Sequence, residues 1–297
     1  MLTVTTAREL RAELARVRER ARGNGRIALV PTMGALHDGH LALVDEARRR
    51  ADVVVLSVFV NPLQFAPTDD LARYPRDPDS DAAKAAARGV DVLFTPGVAE
   101  LYPREPRVRV VPGAIADRWE GAVRPGHFAG VLTVVAKLLH LVAPDVAVFG
   151  QKDAQQVAVV RAMLDDLDFV PELVVVPTAR EADGLARSSR NVYLDATARW
   201  RAAAIPEALA AMERAFAGGE SNAEILAALV ERELRSRAAL AADYVAVTDP
   251  ATLEPVQRAT RGTLVMVAAR VGPTRLLDTI VLGDARFGTG LTRGAAA

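Results

Sequence analysis

The sequence predicts an α/β protein in which a Rossmann-like, doubly wound parallel sheet is followed by a second, smaller α+β domain. Short, continuous apolar runs alternate with helical periodicity as far as residue 178, as expected of parallel strands that are covered on both faces. After Pro177 the pattern changes to a polar loop, a helical stretch and three apolar strands. We therefore place the first domain at residues 1–178 and the second at residues 179–297.

Within the first domain the apolar period switches repeatedly between about 3.6 and 2. The best-defined strand is 53–60, which is β-branched, continuous and closed by Asn61-Pro62. The predicted order is helix 7–22, a turn at 23–25, strand 27–30, helix 39–50, strand 53–60, helix 79–88, strand 90–94, helix 128–142, strand 146–149, helix 154–167 and strand 173–176.

The second domain should contain helices between residues 197 and 240. The apolar strands 244–247, 264–271 and 275–281 follow them. The tail 286–297 has no period, and we expect it to be loose.

Composition limits the classes of partner. The 297 residues carry 37 Lys and Arg against 37 Asp and Glu, so the formal net charge is zero and nothing indicates a nucleic-acid partner. There are no cysteines, which excludes disulfides, thiolate metal sites and cysteine nucleophiles. The N-terminal segment has no apolar h-region, and no run of about 18 apolar residues occurs. We expect a cytoplasmic protein without membrane contact.

A histidine pair marks the first candidate site. His37 and His40 lie three residues apart where a helix should follow a strand and a Gly-containing turn. Both rings can then point the same way as the free N–H groups of the helix start, which suits an anion. A metal pair or an accident of helix capping is the alternative. Zinc would need a further ligand, and only His127 and His140 remain among the histidines.

Other phosphate-binding patterns are absent, since the chain has neither a Walker A loop nor a G-x-G-x-x-G turn after a strand. A nucleotide at the histidine pair would need cations from elsewhere. Lys152, directly after a predicted strand, and Arg187 and Arg190, in the loop between the domains, are the candidates. Solvated surface positions are the alternative for all three.

Six motifs then resemble one family in order and spacing. They are PTMGALHDGH (31–40), FVNPLQF (59–65), YPR (74–76), RPGHFAGV (124–131), FGQKDAQQ (149–156) and DGLARSSRN (183–191). The chain is similar to the pantothenate synthetases, which belong to the HxGH nucleotidyltransferase superfamily. The resemblance implies an ATP-dependent, AMP-forming ligase that joins (R)-pantoate to β-alanine through a pantoyl-adenylate.

The same resemblance implies roles for individual residues. His40 would be the proton donor on the leaving side, His37 a donor to phosphate, and Lys152 a positive charge on the triphosphate. The loop at 187–190 would close over the triphosphate. The implied ATP-binding residues are Met33, Gly34, Ala35, Leu36, His37, Asp38, Gly39, His40, Gly150, Gln151, Lys152, Asp153, Ala179, Arg187, Ser188, Ser189 and Arg190.

For pantoate the resemblance implies Gln64 and Gln156, whose uncharged amides can serve hydroxyls without competing for a metal. It also implies Mg²⁺ on the phosphates, with Asp81 as the candidate protein ligand, and a homodimer.

Three positions depart from the family pattern. Arg187 stands where an apolar residue is usual, so we assign its backbone rather than its side chain, and Gln151 stands where Glu is usual. Ser80 stands where some relatives have an acidic residue, which makes Asp81 the better metal candidate; a solvated helix N-terminus is the alternative for this acidic stretch.

The residues by themselves leave two other functions open. One is a different HxGH enzyme that transfers AMP to a phosphorylated acceptor, and it would release pyrophosphate without needing pantoate or an amine. The other is a nucleotide-binding regulatory module that has lost catalysis. The presence of HxGH, Gln-Lys-Asp and Ser-Ser-Arg-Asn together argues against such a loss.

Overall fold

A computed structural model of the chain describes residues 1–20, 25–65, 71–72 and 74–291. These residues form two compact units. The first consists of Met1–Phe149 and Val159–Val176, and the second of Gly150–Ala158 and Pro177–Ala297. Within the described ranges, no helix is both long and apolar enough to cross a membrane.

The first unit is built on a six-stranded sheet in the order β1-β4-β3-β2-β5-β6. The pairs β1 with β4, β2 with β3, β2 with β5 and β3 with β4 are parallel. The strands are β1 (Leu2–Val4), β2 (Ile27–Thr32), β3 (Val53–Val58), β4 (Val92–Phe94), β5 (Val146–Gly150) and β6 (Glu172–Val176). The predicted doubly wound sheet is confirmed, and its strand order reverses beside β2, which has β3 on one side and β5 on the other. Ligands of such sheets bind outside the carboxyl ends of the strands at this switch point.

Helices connect these strands; among the described residues the five longer ones lie where the periodicity predicts helices, and two short ones were not predicted. The helices are α1 (Ala7–Arg20), α2 (Asp38–Arg50), α3 (Pro78–Ala87), α4 (Val98–Leu101), α5 (Glu120–Val123), α6 (His127–Val142) and α7 (Ala154–Asp166). The start of α3 shows why the chain turns there: the Asp77 side chain accepts the N–H of Ser80, and Pro78 occupies the first turn, where no N–H is needed. Residues 21–22 of the first predicted helix and 23–24 of the following turn lie outside the described residues.

A continuous apolar core covers one face of this sheet. Val30, Val54, Leu56 and Val148 from neighbouring strands are completely buried and pack against Val44 of α2. Their neighbours along the strands, such as Leu29 and Val55, point to the opposite face and are completely buried as well. This is the double-sided burial that the uninterrupted apolar runs predict.

The second unit combines helices with a three-stranded sheet in the order β7-β8-β9, whose two pairings are antiparallel. Its elements are α8 (Ala196–Ala202), α9 (Ala204–Ala217), α10 (Ala223–Ala238), β7 (Ala242–Thr248), β8 (Leu264–Val271) and β9 (Thr274–Val281). The smaller α+β domain is thus confirmed. The domain boundary after residue 178 stays a prediction.

The C-terminal tail differs from its prediction over the part that the structure describes. Thr289 is buried, and its N–H donates to the carboxylate of Glu213 on α9 at 3.2 Å. A side-chain carboxylate therefore holds this stretch in place without any secondary-structure period, which is why the sequence pattern did not reveal it. Residues 292–297 lie outside the described residues.

Candidate functional site

The loop after β2 has two consecutive residues in the left-handed region, Gly34 at φ 84° and Ala35 at φ 50°. This conformation turns successive backbone N–H groups toward one carboxylate. The amides of Ala35 and Leu36 donate to the two oxygens of Asp81 at 2.9 and 2.7 Å. Asp81 is buried on α3, so a residue 45 or 46 positions along the chain holds the shape of the loop.

His37 and His40 lie directly after this loop and cap α2. The Nδ1 atom of His37 accepts the N–H of Gly39 at 3.1 Å, and the Nδ1 atom of His40 accepts the N–H of His37 at 3.4 Å. The two rings stack with their centroids 4.1 Å apart. Because each Nδ1 accepts a hydrogen bond, the neutral form of each ring carries its proton on Nε2.

The helix start therefore combines two imidazole donors with the positive end of a helix dipole. Both features favour negative charge, and neither requires a metal. This geometry fits the anion site predicted from the histidine spacing, which stays a prediction, and the capping role that we weighed as the alternative is present. The capping hydrogen bonds fix the orientation of the two rings and therefore the direction of their Nε2–H groups.

Gln64 is buried beside the same loop. Its Nε2 lies 3.1 Å from the sulfur of Met33, so the structure brings two of the predicted site residues into contact. Its Oε1 accepts from Asn61 at 3.0 Å. The Asn61 amide also donates to the carbonyl of Gly130 at 3.1 Å, and its Oδ1 accepts the hydroxyl of Tyr102 at 3.0 Å. Partial burial raises the pKa of Tyr102 to about 12, so this hydroxyl stays a donor at neutral pH.

The backbone carbonyl of Gln64 is hydrogen-bonded as well as its side chain. Its carbonyl accepts the Nδ1–H of His127 at 2.8 Å and a guanidinium N–H of Arg124 at 3.2 Å. A Cβ at Gly130 would lie 2.2 Å from the carbonyl oxygen of Leu63, so only glycine allows α6 to approach this segment.

Asn61, Arg124 and His127 are site residues that we did not assign from the sequence. All three lie within motifs that carried the resemblance, and that membership was the available signal.

The second unit carries the other predicted residues, and we describe it separately. Gln151–Asp153 form a single 3₁₀ turn after Gly150. The Lys152 ammonium lies 3.6 Å from the Asp153 carboxylate. Gln156 lies two residues into α7 and is half-buried.

Ala179 and Arg187 close a short hairpin in the second unit. The carbonyl of Ala179 accepts the N–H of Arg187 at 2.8 Å, and Arg180 bridges to Ala186. Ser188 then caps a 3₁₀ helix over Ser189–Tyr193, accepting the N–H of Arg190 at 3.3 Å. The predicted Arg187–Arg190 segment is thus an ordered extension of the hairpin.

An ionic cluster stabilises this hairpin. Arg199 on α8 donates to Glu181 at 2.7 Å and to Asp183 at 2.7 Å. Glu181 also accepts the side-chain amide of Asn191 at 2.7 Å. The hydrogen bond from Arg199 is the largest cause that lowers the pKa of Glu181 below its usual value, and the bond from Asn191 lowers it further.

A divalent cation has few protein ligands available here. In the ranges that the structure describes, no three His, Cys, Asp or Glu side chains cluster as a metal site would require. Both oxygens of Asp81 already accept backbone N–H groups. This residue set fits Mg²⁺ held mainly by substrate phosphates, and the metal role of Asp81 stays a prediction.

Comparisons with known proteins agree with this architecture. The family model for pantoate-beta-alanine ligase matches residues 2–281. A pantothenate synthetase from Acidothermus cellulolyticus is 52% identical over 270 residues, which cover 90% of this chain and 88% of that protein. The crystal structure of pantothenate synthetase from Thermus thermophilus matches with a TM-score of 0.89 at 50% identity, covering 95% of this chain and 99% of that one.

A third relative was solved with ligands. The pantoate-beta-alanine ligase from Francisella tularensis, complexed with beta-gamma ATP and beta-alanine, matches with a TM-score of 0.76 at 32% identity and covers 95% of this chain and 97% of that chain.

The fold and the site define an α/β protein with a histidine-capped helix start at the switch point of a doubly wound sheet. The chain belongs to the pantoate-beta-alanine ligase family. It is a ligase, and the resemblance seen in the six sequence motifs is confirmed.

Proposed function

We propose that the chain condenses (R)-pantoate with β-alanine, using ATP, to give pantothenate, AMP and diphosphate through a pantoyl-adenylate. The observation that carries this proposal is the family match over residues 2–281, which includes the histidine-capped helix start. The ligands of the Francisella tularensis relative, beta-gamma ATP and beta-alanine, support the same two small molecules here.

The first step joins a pantoate carboxylate oxygen to the α-phosphorus of ATP, while the bond from that phosphorus to the bridging oxygen breaks and its electron pair leaves with diphosphate. In the second step the β-alanine nitrogen bonds to the acyl carbon, AMP leaves with the electron pair of its bond, and the nitrogen loses a proton. Both steps need positioning and charge neutralisation more than covalent help from the protein.

The two histidines fit the first step because their Nε2 atoms are donors at a helix start. We assign His40 as the proton donor to the departing diphosphate and His37 as a hydrogen-bond donor to phosphate. The segment Met33–Gly39 lines ATP. In the second unit, Lys152 supplies positive charge, Gly150, Gln151 and Asp153 complete its segment, and Ala179 lies at the adenine. Arg187–Arg190 serve the triphosphate.

Pantoate requires amide groups beside an apolar wall, because it combines two hydroxyls and a carboxylate with a gem-dimethyl carbon. Gln64 fits this need: it is buried, its amide faces Met33, and Asn61 fixes its orientation. Gln156 is the second amide in the proposal.

Mg²⁺ would neutralise charge on the triphosphate when bound, with Asp81 as the candidate protein ligand. A homodimer and a cytoplasmic location are also part of the proposal. The homodimer is implied by the family resemblance, and the cytoplasmic location is the expectation from the sequence.

The proposal is tested by measuring AMP formation with pantoate and β-alanine omitted in turn. AMP release should require both. Diphosphate release that proceeds equally without pantoate would contradict the proposal and favour the adenylyl-transfer alternative.

A further inference from the structure

Two adjacent polar residues interrupt the apolar strand β9. Asp278 and Thr279 are 1% and 2% exposed, and the strand around them is apolar at Leu276, Leu277 and Ile280. Burying a carboxylate is costly unless it is paired and hydrogen-bonded. Successive strand residues point to opposite faces of a sheet, so the two side chains must find partners on different sides of β9.

Asp278 pairs with Arg180 in a bidentate contact of 2.7 and 2.9 Å, and both side chains are almost fully buried. The same guanidinium donates to the carbonyl of Gly184 at 3.0 Å. Arg180 is thereby tied both to β9 and to the tip of its own hairpin. The segment that begins at Arg187 leaves from the base of this hairpin, so Asp278 determines where that segment starts.

Thr279 contacts the other predicted phosphate segment of the second unit. Its hydroxyl donates to the backbone carbonyl of Lys152 at 3.0 Å. This bond fixes the 3₁₀ turn that presents the Lys152 ammonium. One short strand therefore orients two segments that are far apart in the sequence.

We infer that Asp278 and Thr279 are positioning residues for ATP: Thr279 orients the Lys152 turn, and Asp278, through Arg180, orients the segment at 187–190. This inference rests on the proposed assignment of residues 150–153 and 187–190 to ATP. Neither residue needs to touch the nucleotide. Their loss should weaken ATP use far more than it weakens the use of β-alanine.

The first experiment compares Thr279→Val with Thr248→Val. Thr248 is an equally buried threonine of the same sheet, and its hydroxyl donates to the carbonyl of Leu264 at 3.3 Å. We expect Thr279→Val to raise KM for ATP roughly five- to tenfold, the size of one lost hydrogen bond, and Thr248→Val to leave it unchanged. Thr279→Ser keeps the hydroxyl and should behave like the parent protein. Equal KM values for ATP in the two valine variants would overturn the inference.

A double-mutant cycle shows whether Thr279 acts through Lys152. Lys152→Ala alone should raise KM for ATP, and adding Thr279→Val should then change little, because the group that it orients is gone. Fully additive effects would contradict the inference while leaving the assignment of Lys152 intact. A Lys152→Ala variant with unchanged ATP kinetics would remove that assignment itself.

Asp278→Asn tests the other face of the strand. The substitution keeps the shape but weakens the pairing with Arg180, so we expect KM for ATP to rise several-fold at a temperature well below the thermal midpoint. A variant whose thermal midpoint falls while its KM for ATP stays unchanged would show that Asp278 only stabilises the fold.

Discussion

At Gly34 the backbone and the surroundings independently require glycine. Its φ of 84° strains any L side chain, and a Cβ there would lie 2.9 Å from both an oxygen of Asp81 and a methyl of Val58. We expect Gly34→Ala to lower the free energy of unfolding by more than the ~1 kcal/mol of backbone strain alone, and to reduce activity as the loop moves. Urea unfolding and kcat measure the two effects.

Gly272→Ala is the matched control for that substitution. Gly272 also has a positive φ, of 60°, but no atom lies within 4 Å of the place that a Cβ would take, and it sits in the turn between β8 and β9. It should lose stability without losing activity. Equal losses of activity in both variants would mean that the clash at Gly34 is unimportant.

Asp81 should stabilise the loop after β2 through the two backbone hydrogen bonds that it accepts. In Asp81→Asn an NH₂ group replaces one oxygen and faces a backbone N–H, so one of the two bonds is lost. We expect the free energy of unfolding to fall by ~2 kcal/mol, as for hydrogen bonds to charged groups, together with a fall in kcat. Asp79→Asn, an exposed change on the same helix, should alter both by far less. Identical urea midpoints for the two variants would contradict the structural role of Asp81.

His40→Ala should lower the rate of adenylate formation by on the order of 10²–10⁴-fold, the usual contribution of a general acid. The folded state should persist, because the ring is only partly buried. Diphosphate release in a single turnover measures the step. His140→Ala removes an exposed histidine of α6 and serves as the control. Near-normal release in His40→Ala would exclude the proton-donor role.

At the residue scale, motifs nominate Met33–His40, Gln64 and Lys152 without three-dimensional information. The structure brings Met33 and Gln64 into contact, and the site roles of these residues stay predictions. The bonds from Asp81 to Ala35 and Leu36 could not be predicted, since they join segments 45 and 46 residues apart and leave no period in the sequence. Asp278 carried a weak signal that we did not use: a lone carboxylate inside an apolar strand must have a buried partner.

At the scale of elements, strands and helices followed from their apolar periods, but short or irregular pieces did not. β1 has only three residues, too few to show alternation. The tail at Thr289 is held by Glu213, a contact that no period can indicate. Single side chains decide such segments, whereas long elements are decided by the sum of many apolar contacts.

The hairpin that carries Ala179 and Arg187 should show a characteristic pH dependence. The folded-state pKa of Glu181 is lowered, mainly by its hydrogen bond from Arg199, so the stabilisation is complete above the unfolded value of about 4.5 and is lost as the pH falls through the folded value. Free energies of unfolding of the parent and of Glu181→Gln should therefore differ at pH 7 and converge as the pH falls through the lowered folded-state pKa of Glu181. A difference that stays constant across this range would contradict the ion pair.

At the scale of the whole molecule, composition and periodicity were sufficient for the fold class, and the family match extends from residue 2 to residue 281. The homodimer does not follow from composition or periodicity, because single apolar residues on the surface occur in monomers and in dimers alike. We predict a homodimer in sedimentation equilibrium at micromolar concentration. A monomer mass there would remove this part of the proposal.

The route of one oxygen atom tests the central claim most directly. Pantoate labelled with ¹⁸O in its carboxylate should transfer one labelled oxygen to AMP when ATP and β-alanine are present, because the carboxylate oxygen bonded to the α-phosphorus leaves with AMP. Mass spectrometry of the nucleotide product measures this transfer. Unlabelled AMP, or labelled inorganic phosphate together with ADP, would contradict an acyl-adenylate mechanism.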